Sequence, residues 1–383
     1  MSMGRRGVYM DYQASTPADP RVVEAMHPYW TTVCGNPHAA DHAFGWTADT
    51  AVETARSHIA AVIGADPDEI IFTSGATEAN NLAILGIARA AAAGRRRIVV
   101  SAIEHKCVLA AARAAAEEGF EVITVPVGAN GIVDSSAIAA ATDARTALVS
   151  VMAVNNEVGT VQPLREIAAV CEAAGAVFHC DAAQALSVLA IDVFHLGVDL
   201  MSLSAHKAYG PKGIGALYVR RNIAVRPRPI LHGGGQEGGL RSGTLPTPLC
   251  VGFGEACRIL AAERDSEVPR IRALRDRFLA RLREVTPNLI VNGDLSARHP
   301  GNLNTMFPSI DASALLQRLQ PDLAASTGSA CTSGQPEPSH VLLAMGLSTR
   351  EAESSVRFSV GRFTTDADIE AAIVSLGNGM LAV

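Results

Sequence analysis

The sequence predicts an α/β fold built on a mostly parallel seven-stranded sheet, with a smaller α+β region at its C-terminal end. Three observations carry this. Apolar runs of strand length alternate with helical patterns as far as Val219. Runs such as Ile98-Val99-Val100 and Leu148-Val149-Ser150-Val151 do not alternate polar with apolar, as expected of strands covered on both faces. Several runs end in polar clusters, and open α/β sheets bind ligands beyond the carboxyl ends of their strands.

Taken in order, residues 69–73 read as a buried strand and 76–93 as a helix. Residues 97–101 form the next strand and 106–118 the next helix. Residues 121–125, 146–151 and 176–180 are further strands, with a helix over 164–174, and 199–202 and 214–219 complete the seven. Strand, helix, strand in this order requires crossover connections. The pattern changes near Gly233, where residues 232–248 form a long Gly/Pro-rich loop. Residues 251–284 then read as one or two long charged helices, and 286–383 mix short strands and helices. The expected organisation is a large domain over 15–260 and a small one over 261–383, joined by 1–14 and carrying a loop at 326–339.

Composition narrows the partners. The chain has 383 residues, 48% hydrophobic and 18% charged, enough for a sizeable core. Its 32 basic and 38 acidic residues leave a net charge of -6, so direct nucleic-acid binding is not expected. The seven cysteines are scattered without a CxxC pair, which disfavours a disulfide framework and fits a reducing cytoplasm. Cys250, Cys257 and His232 do not match zinc spacings, so no metal is expected. No apolar run reaches membrane length, and none near the N-terminus has signal length.

The polar clusters supply the chemistry. Ser74-Gly75-Ala76-Thr77 lies between a strand and a helix, where free backbone N–H groups suit a phosphate. An ordinary helix cap would look the same. His105 could stack on a flat ring or shuttle protons, or be structural. Asp181, with Gln184 three residues on, emerges from a buried strand. There a carboxylate needs a cationic partner such as a protonated pyridine nitrogen, unless it caps a helix. Lys207 follows a core strand and could form the amine linkage that pyridoxal phosphate (PLP) requires; Lys212 competes for that role. Cys331 sits in a loop of small polar residues, the setting of an exposed nucleophile or of an incidental surface thiol. The other six cysteines read as packing residues. Arg357 and Arg241 can each fork onto a carboxylate.

Together these segments resemble the NifS/IscS-type cysteine desulfurases of the class-V aminotransferase superfamily. The matching strings run over nearly the whole chain. They include Met10-Asp11-Tyr12-Gln13-Ala14-Ser15-Thr16-Pro17, Gly35-Asn36-Pro37-His38, Ser74-Gly75-Ala76-Thr77-Glu78, Glu104-His105-Lys106, Asn155-Asn156-Glu157-Val158-Gly159, His206-Lys207, Arg241-Ser242-Gly243-Thr244 and Gly328-Ser329-Ala330-Cys331-Thr332-Ser333. The resemblance implies the fold of the fold-type I PLP-dependent transferases. It implies that Lys207 binds PLP covalently, His105 stacks on the ring and moves protons, Asp181 pairs with the pyridine nitrogen and Gln184 bonds the ring hydroxyl oxygen. Ala76, Thr77, Ser204 and His206 would hold the phosphate, with Thr244 contributed by the other subunit of a homodimer. Asn156 and Arg357 would orient the carboxylate of L-cysteine. Cys331 would accept the sulfur as a persulfide and hand it to a protein acceptor, a scaffold or relay, for iron–sulfur cluster synthesis, tRNA thiolation or another sulfur-containing product. Ala205 stands where relatives have glycine, so its φ should be negative. A same-fold rival is a PLP aminotransferase or selenocysteine lyase. A rival of another class is a sulfur-relay or scaffold protein, which would leave Lys207, Asp181 and His105 without a purpose.

Overall fold

The computed structural model describes residues 7–328 and 337–381. In chain order the strands are β1 (Val8–Tyr9), β2 (Ile70–Thr73), β3 (Arg97–Ser101), β4 (Glu121–Val125), β5 (Thr146–Ser150), β6 (Val177–Asp181), β7 (Leu200–Ser204), β8 (Gly215–Val219), β9 (Ile290–Val291), β10 (Asn302–Met306), β11 (Leu323–Ala324) and β12 (Ser355–Ser359). The helices are α1 (Pro20–Met26), α2 (Pro28–Thr31), α3 (Ala43–Ile63), α4 (Ala76–Ala90), α5 (Lys106–Glu117), α6 (Ser135–Ala141), α7 (Leu164–Ala174), α8 (Val193–Leu196), α9 (Thr247–Val285), α10 (Ala312–Arg318), α11 (His340–Ala344), α12 (Thr349–Glu353) and α13 (Asp366–Leu381).

Seven strands form the central sheet in the order β2-β8-β7-β6-β5-β3-β4. Only β8 runs against its neighbours, so β2 and the other five point the same way. Adjacent residues of a strand enter different cores. Val99 and Val149 face α3, α6, α7 and the first half of α9, whereas Ile98, Val100 and Leu148 face α4 and α5. This two-sided cover is why those strands read as unbroken apolar runs. The edge strand β4 is the exception, with Glu121 and Thr124 exposed.

Departures from the sequence reading have local causes. Strand β2 starts at Ile70 because Glu69 is taken into a tight turn whose Asp66 and Glu69 cap each other. Helix α4 stops at Ala90 because Ala91 is extended (φ -62°, ψ 144°). The helices between Pro20 and Ile63 were not foreseen: alanine, threonine and histidine dilute the apolar stripe of α3, and its burial comes from packing on α9. Helix α9 is one helix of 39 residues. Its first half packs on the central sheet, and its second half packs with β10, β12, α10 and α13 around Phe278, Phe307 and Phe358. Pro269, which cannot donate to the helix ladder, lies between the two halves. The three-stranded sheet β12-β10-β9 anchors this second core, and the β1–β11 pair ties the N-terminus to it.

Candidate active site

Strands β2, β3, β5, β6 and β7 end at one edge of the sheet, in Thr73, Ser101, Ser150, Asp181 and Ser204. Their loops, with the segment Gln13–Ser15 and Arg357 of β12, enclose a cavity of about 660 Å³. That lies within the usual range for small-molecule sites. Ala76, Thr77, His105, Asn156, Asp181, Gln184, Ser204, His206, Lys207 and Arg357 all line it.

Lys207 ends the short 3-10 turn Ala205–Lys207 that follows β7, and Ala205 is not among the residues with positive φ. The Lys207 Nζ donates to the carbonyls of Gln13 (2.5 Å) and Ala14 (2.8 Å). The N-terminal segment thus crosses the mouth of the turn. It is fastened there by the Thr16 N–H donating to the His206 carbonyl (2.9 Å) and the Tyr209 N–H donating to Thr16 Oγ1 (2.9 Å). Tyr209 itself is left-handed (φ 62°), an uncommon state for a side chain of this size. Lys212 also lines the cavity, five residues on. Burial, with Lys207 and Lys212 nearby, pushes the His206 imidazole down to about 4.

Asp181 closes β6. Its Oδ1 accepts from the Ala183 N–H (2.9 Å) and its Oδ2 from the Asn80 amide (2.8 Å). Both donors are neutral. Gln184 donates to the Gln13 carbonyl (2.9 Å), the same oxygen that Lys207 uses. His105 caps α5, its Nδ1 accepting from the Cys107 N–H at 3.2 Å. Burial lowers the His105 pKa, opposed by the Asp181 carboxylate.

At the foot of the cavity Gly75 precedes α4 with φ 148° and ψ 178°, a conformation open only to glycine. Among the described residues no side chain caps this helix start, and a Cβ built on Gly75 would meet nothing within 4 Å. The ordinary-cap alternative is therefore not what is found, and the first-turn N–H groups of α4 face an open cradle. Across it Gly215 abuts the same turn: a Cβ there would come within 2.7 Å of the Gly75 Cα. On the far side Arg357 is buried. Its Nη1 donates to the Asn156 carbonyl (2.7 Å), and its Nη2 to Asp11 (2.7 Å) and Ser326 Oγ (2.8 Å). Its Nε has no partner among the described residues.

Two expected residues stand apart. Thr244 is exposed and does not line this cavity. Cys331 lies outside the described residues, although Gly328 lines the cavity. Arg241, a second candidate for a carboxylate, is engaged by Glu78 (2.8 Å). Cys171, Cys180, Cys250 and Cys257 are buried as expected of packing residues. Cys34 is exposed, and Cys107 forms part of the cavity wall. The signal for Cys107 was its place two residues after His105, at a strand end. Asn80 was missed because a buried polar residue within an apolar helical pattern has no periodic signature; Glu104 stood out beside His105 at a strand end but carried no role.

Residues 8–372 match the Aminotransferase class-V family. The mitochondrial cysteine desulfurase of Arthroderma benhamiae is 51% identical over 97% of this chain and 74% of its own length. The cysteine desulfurase IscS of Rickettsia africae is 50% identical over 96% of this chain and 89% of its own. A solved NifS-like protein superposes with a TM-score of 0.92 at 34% identity, covering 99% of this chain and 100% of the other. A seven-stranded sheet with a lysine, an aspartate and a histidine at its ligand edge is thus that of a class-V aminotransferase, the family to which the chain belongs. Within it the chain stands among the NifS/IscS-type cysteine desulfurases, which are PLP-dependent.

The cavity fits that cofactor. A buried carboxylate held only by neutral donors suits a ring N–H⁺. The open cradle at Gly75, with His206, Ser204 and Thr77 around the cavity, suits a phosphate. Lys207 lines the same cavity.

Proposed function

We propose that this enzyme converts L-cysteine to L-alanine, with Lys207 as the cofactor lysine and base and Cys331 as the sulfur acceptor. The observation that carries the reading is the meeting of Lys207, Asp181, His105 and Arg357 around one cavity. When bound, PLP supplies an electron sink for bond breaking at the substrate carbons. Asp181 keeps the ring nitrogen protonated, and Gln184 bonds the ring oxygen. Ala76, Thr77, Ser204 and His206 hold the phosphate. The unpartnered Nε of Arg357 and the side chain of Asn156 take the substrate carboxylate. The Lys207 amine removes the Cα proton, and His105 handles protons beside it. The Cys331 thiolate attacks the substrate sulfur and the C–S bond breaks. Alanine leaves and the sulfur stays as a Cys331 persulfide, so one thiol and one cysteine become one persulfide and one alanine.

The same reading assigns residues 15–260 to a cofactor-binding domain and 261–383, with 1–14, to a smaller one; two separate apolar cores support the division. It makes the enzyme a homodimer, supported by Trp30, Phe44 and Trp46, each more than half exposed. Thr244, outside its own cavity, would serve the partner's. The persulfide passes to a protein acceptor for iron–sulfur cluster assembly, tRNA thiolation or a related synthesis. A cytoplasmic location fits the unpaired cysteines, and no described helix is long and apolar enough to cross a membrane.

Two variants test this. Lys207→Ala should purify without the visible absorbance of bound PLP. Cys331→Ser should keep that absorbance and its response to cysteine yet release no sulfide. Normal sulfide release by Cys331→Ser would sink the acceptor assignment, and a colourless wild-type protein the whole reading.

A further inference from the structure

Behind His105 lies a buried chain of polar groups that the reaction above does not use. Asn80 on α4 is completely buried. Its amide nitrogen has two hydrogens and two partners: Asp181 Oδ2 at 2.8 Å and Cys107 Sγ at 3.2 Å. The Cys107 Sγ in turn lies 2.9 Å from His105 Nδ1. The Asn80 Oδ1 is left without a partner among the described residues. The opposite amide orientation would aim that oxygen at the Asp181 carboxylate, so the repulsion fixes which way Asn80 points.

The direction of each hydrogen bond follows. The Cys107 backbone N–H donates to His105 Nδ1, and a ring nitrogen that accepts from an N–H carries no hydrogen itself. The neutral ring must then hold its hydrogen on Nε2. Burial pushes the Cys107 thiol up to about 12, so it stays protonated and has a hydrogen to give to Nδ1. Burial also keeps the imidazole neutral, with Asp181 opposing and Lys207, His340 and Lys106 adding to the effect.

We propose that Asn80 and Cys107 are positioning residues: they join Asp181 to His105 in one hydrogen-bonded chain that holds the His105 ring as the neutral tautomer with its hydrogen on Nε2. The ring then offers the reacting side a hydrogen-bond donor, not an acceptor. The same amide that orients the carboxylate facing the cofactor nitrogen also orients the thiol behind the histidine. This rests on the reading that His105 and Asp181 face bound PLP.

The test uses the holoenzyme with ¹⁵N-labelled histidine, assigned by loss of the signal in His105→Gln. Long-range ¹H–¹⁵N NMR near pH 7.5 should show His105 as the Nε2–H tautomer in the wild type. Cys107→Ala keeps the backbone N–H at Nδ1 and loses only the thiol, so the Nδ1–H tautomer should gain population without replacing Nε2–H. Its kcat should fall roughly five- to tenfold, the worth of one hydrogen bond, with PLP absorbance and the KM for cysteine unchanged. Cys107→Ser should restore most of both. Asn80→Ala should lower kcat similarly and also shift the PLP absorbance, since Asp181 loses a donor. A wild-type His105 found as Nδ1–H or imidazolium overturns the proposal. So does a Cys107→Ala enzyme matching wild type in tautomer and kcat. Should an alanine variant fail to fold, Cys107→Ser decides, an Nδ1–H tautomer there counting against the chain. A colourless wild type defeats the functional reading alone, because the tautomer can still be read in PLP-free protein.

Discussion

Glu104 is completely buried. Its Oε1 accepts from Ser101 Oγ (2.7 Å) and the Met152 N–H (2.8 Å), whereas Oε2 has no partner among the described residues. Burial, helped slightly by Asp181, pushes this carboxyl up to about 8 from 4.5. The folded state therefore holds a proton that the unfolded chain releases above about 4.5. Its stabilising contribution is complete below that pH and fades as the pH rises through 8. Glu104→Gln, which keeps the oxygen acceptor without the charge, should lose less Tm than wild type between pH 6 and pH 8.5. Thermal unfolding at the two pH values checks it, and parallel losses would show that Glu104 does not titrate there. From sequence, Glu104 was only the residue before His105. Its placement depends on the backbone at Met152, two residues past the end of β5, which donates to it.

Two loops fix the elements that form the cavity. The Gly75 turn costs nothing sterically, since a Cβ would find open space, but its φ of 148° suits only glycine. Gly75→Ala should lower stability by about 1–3 kcal/mol through backbone strain alone. It should also speed PLP loss, read as visible absorbance after dialysis. The Gly-rich loop is held from its other end by Glu237, which accepts from the Phe72 N–H of β2 (2.6 Å) and from Arg56 of α3 (2.9 Å to each oxygen). Both side chains are nearly buried. Removing Glu237 leaves Arg56 only the half-exposed Glu53 (3.0 Å) as a counter-charge and the Phe72 N–H without its acceptor, so Glu237→Ala should cost about 3 kcal/mol in denaturant unfolding. The loop was legible as glycine-rich punctuation. That its single acidic residue reaches across to an edge strand was not, because the partners are far apart in sequence.

On the scale of the whole molecule, Arg362 links the N-terminal segment to the long helix. It pairs with Asp19 (2.7 Å) and with Glu267 of α9 (2.7 Å), and lies over the Tyr209 ring 4.4 Å from its centre. The turn that carries Lys207 is thereby braced against the second core. The exposed aromatics on and near α2 and α3 point outward from this assembly. If they form the dimer contact, Trp46→Glu should elute as a monomer in size-exclusion chromatography and lose activity with it. A dimeric Trp46→Glu would place the contact elsewhere.

The lysine, aspartate and histidine at the ligand edge were visible in the sequence, because each follows an apolar run that only a covered strand explains. So was the order of the strands from residue 69 to Val219, with α4, α5 and α7 between them, since their periods are local; the short helices α6 and α8 were not. The tertiary structure decided what those residues touch. Gln13 and Ala14 reach Lys207 across 194 and 193 positions of chain, and Asn80 reaches Asp181 across 101. The strap over the lysine and the closure over the buried acid behind the histidine depend on contacts between distant segments. No local pattern encodes these, because a hydrogen bond across the fold leaves no period in the chain that makes it.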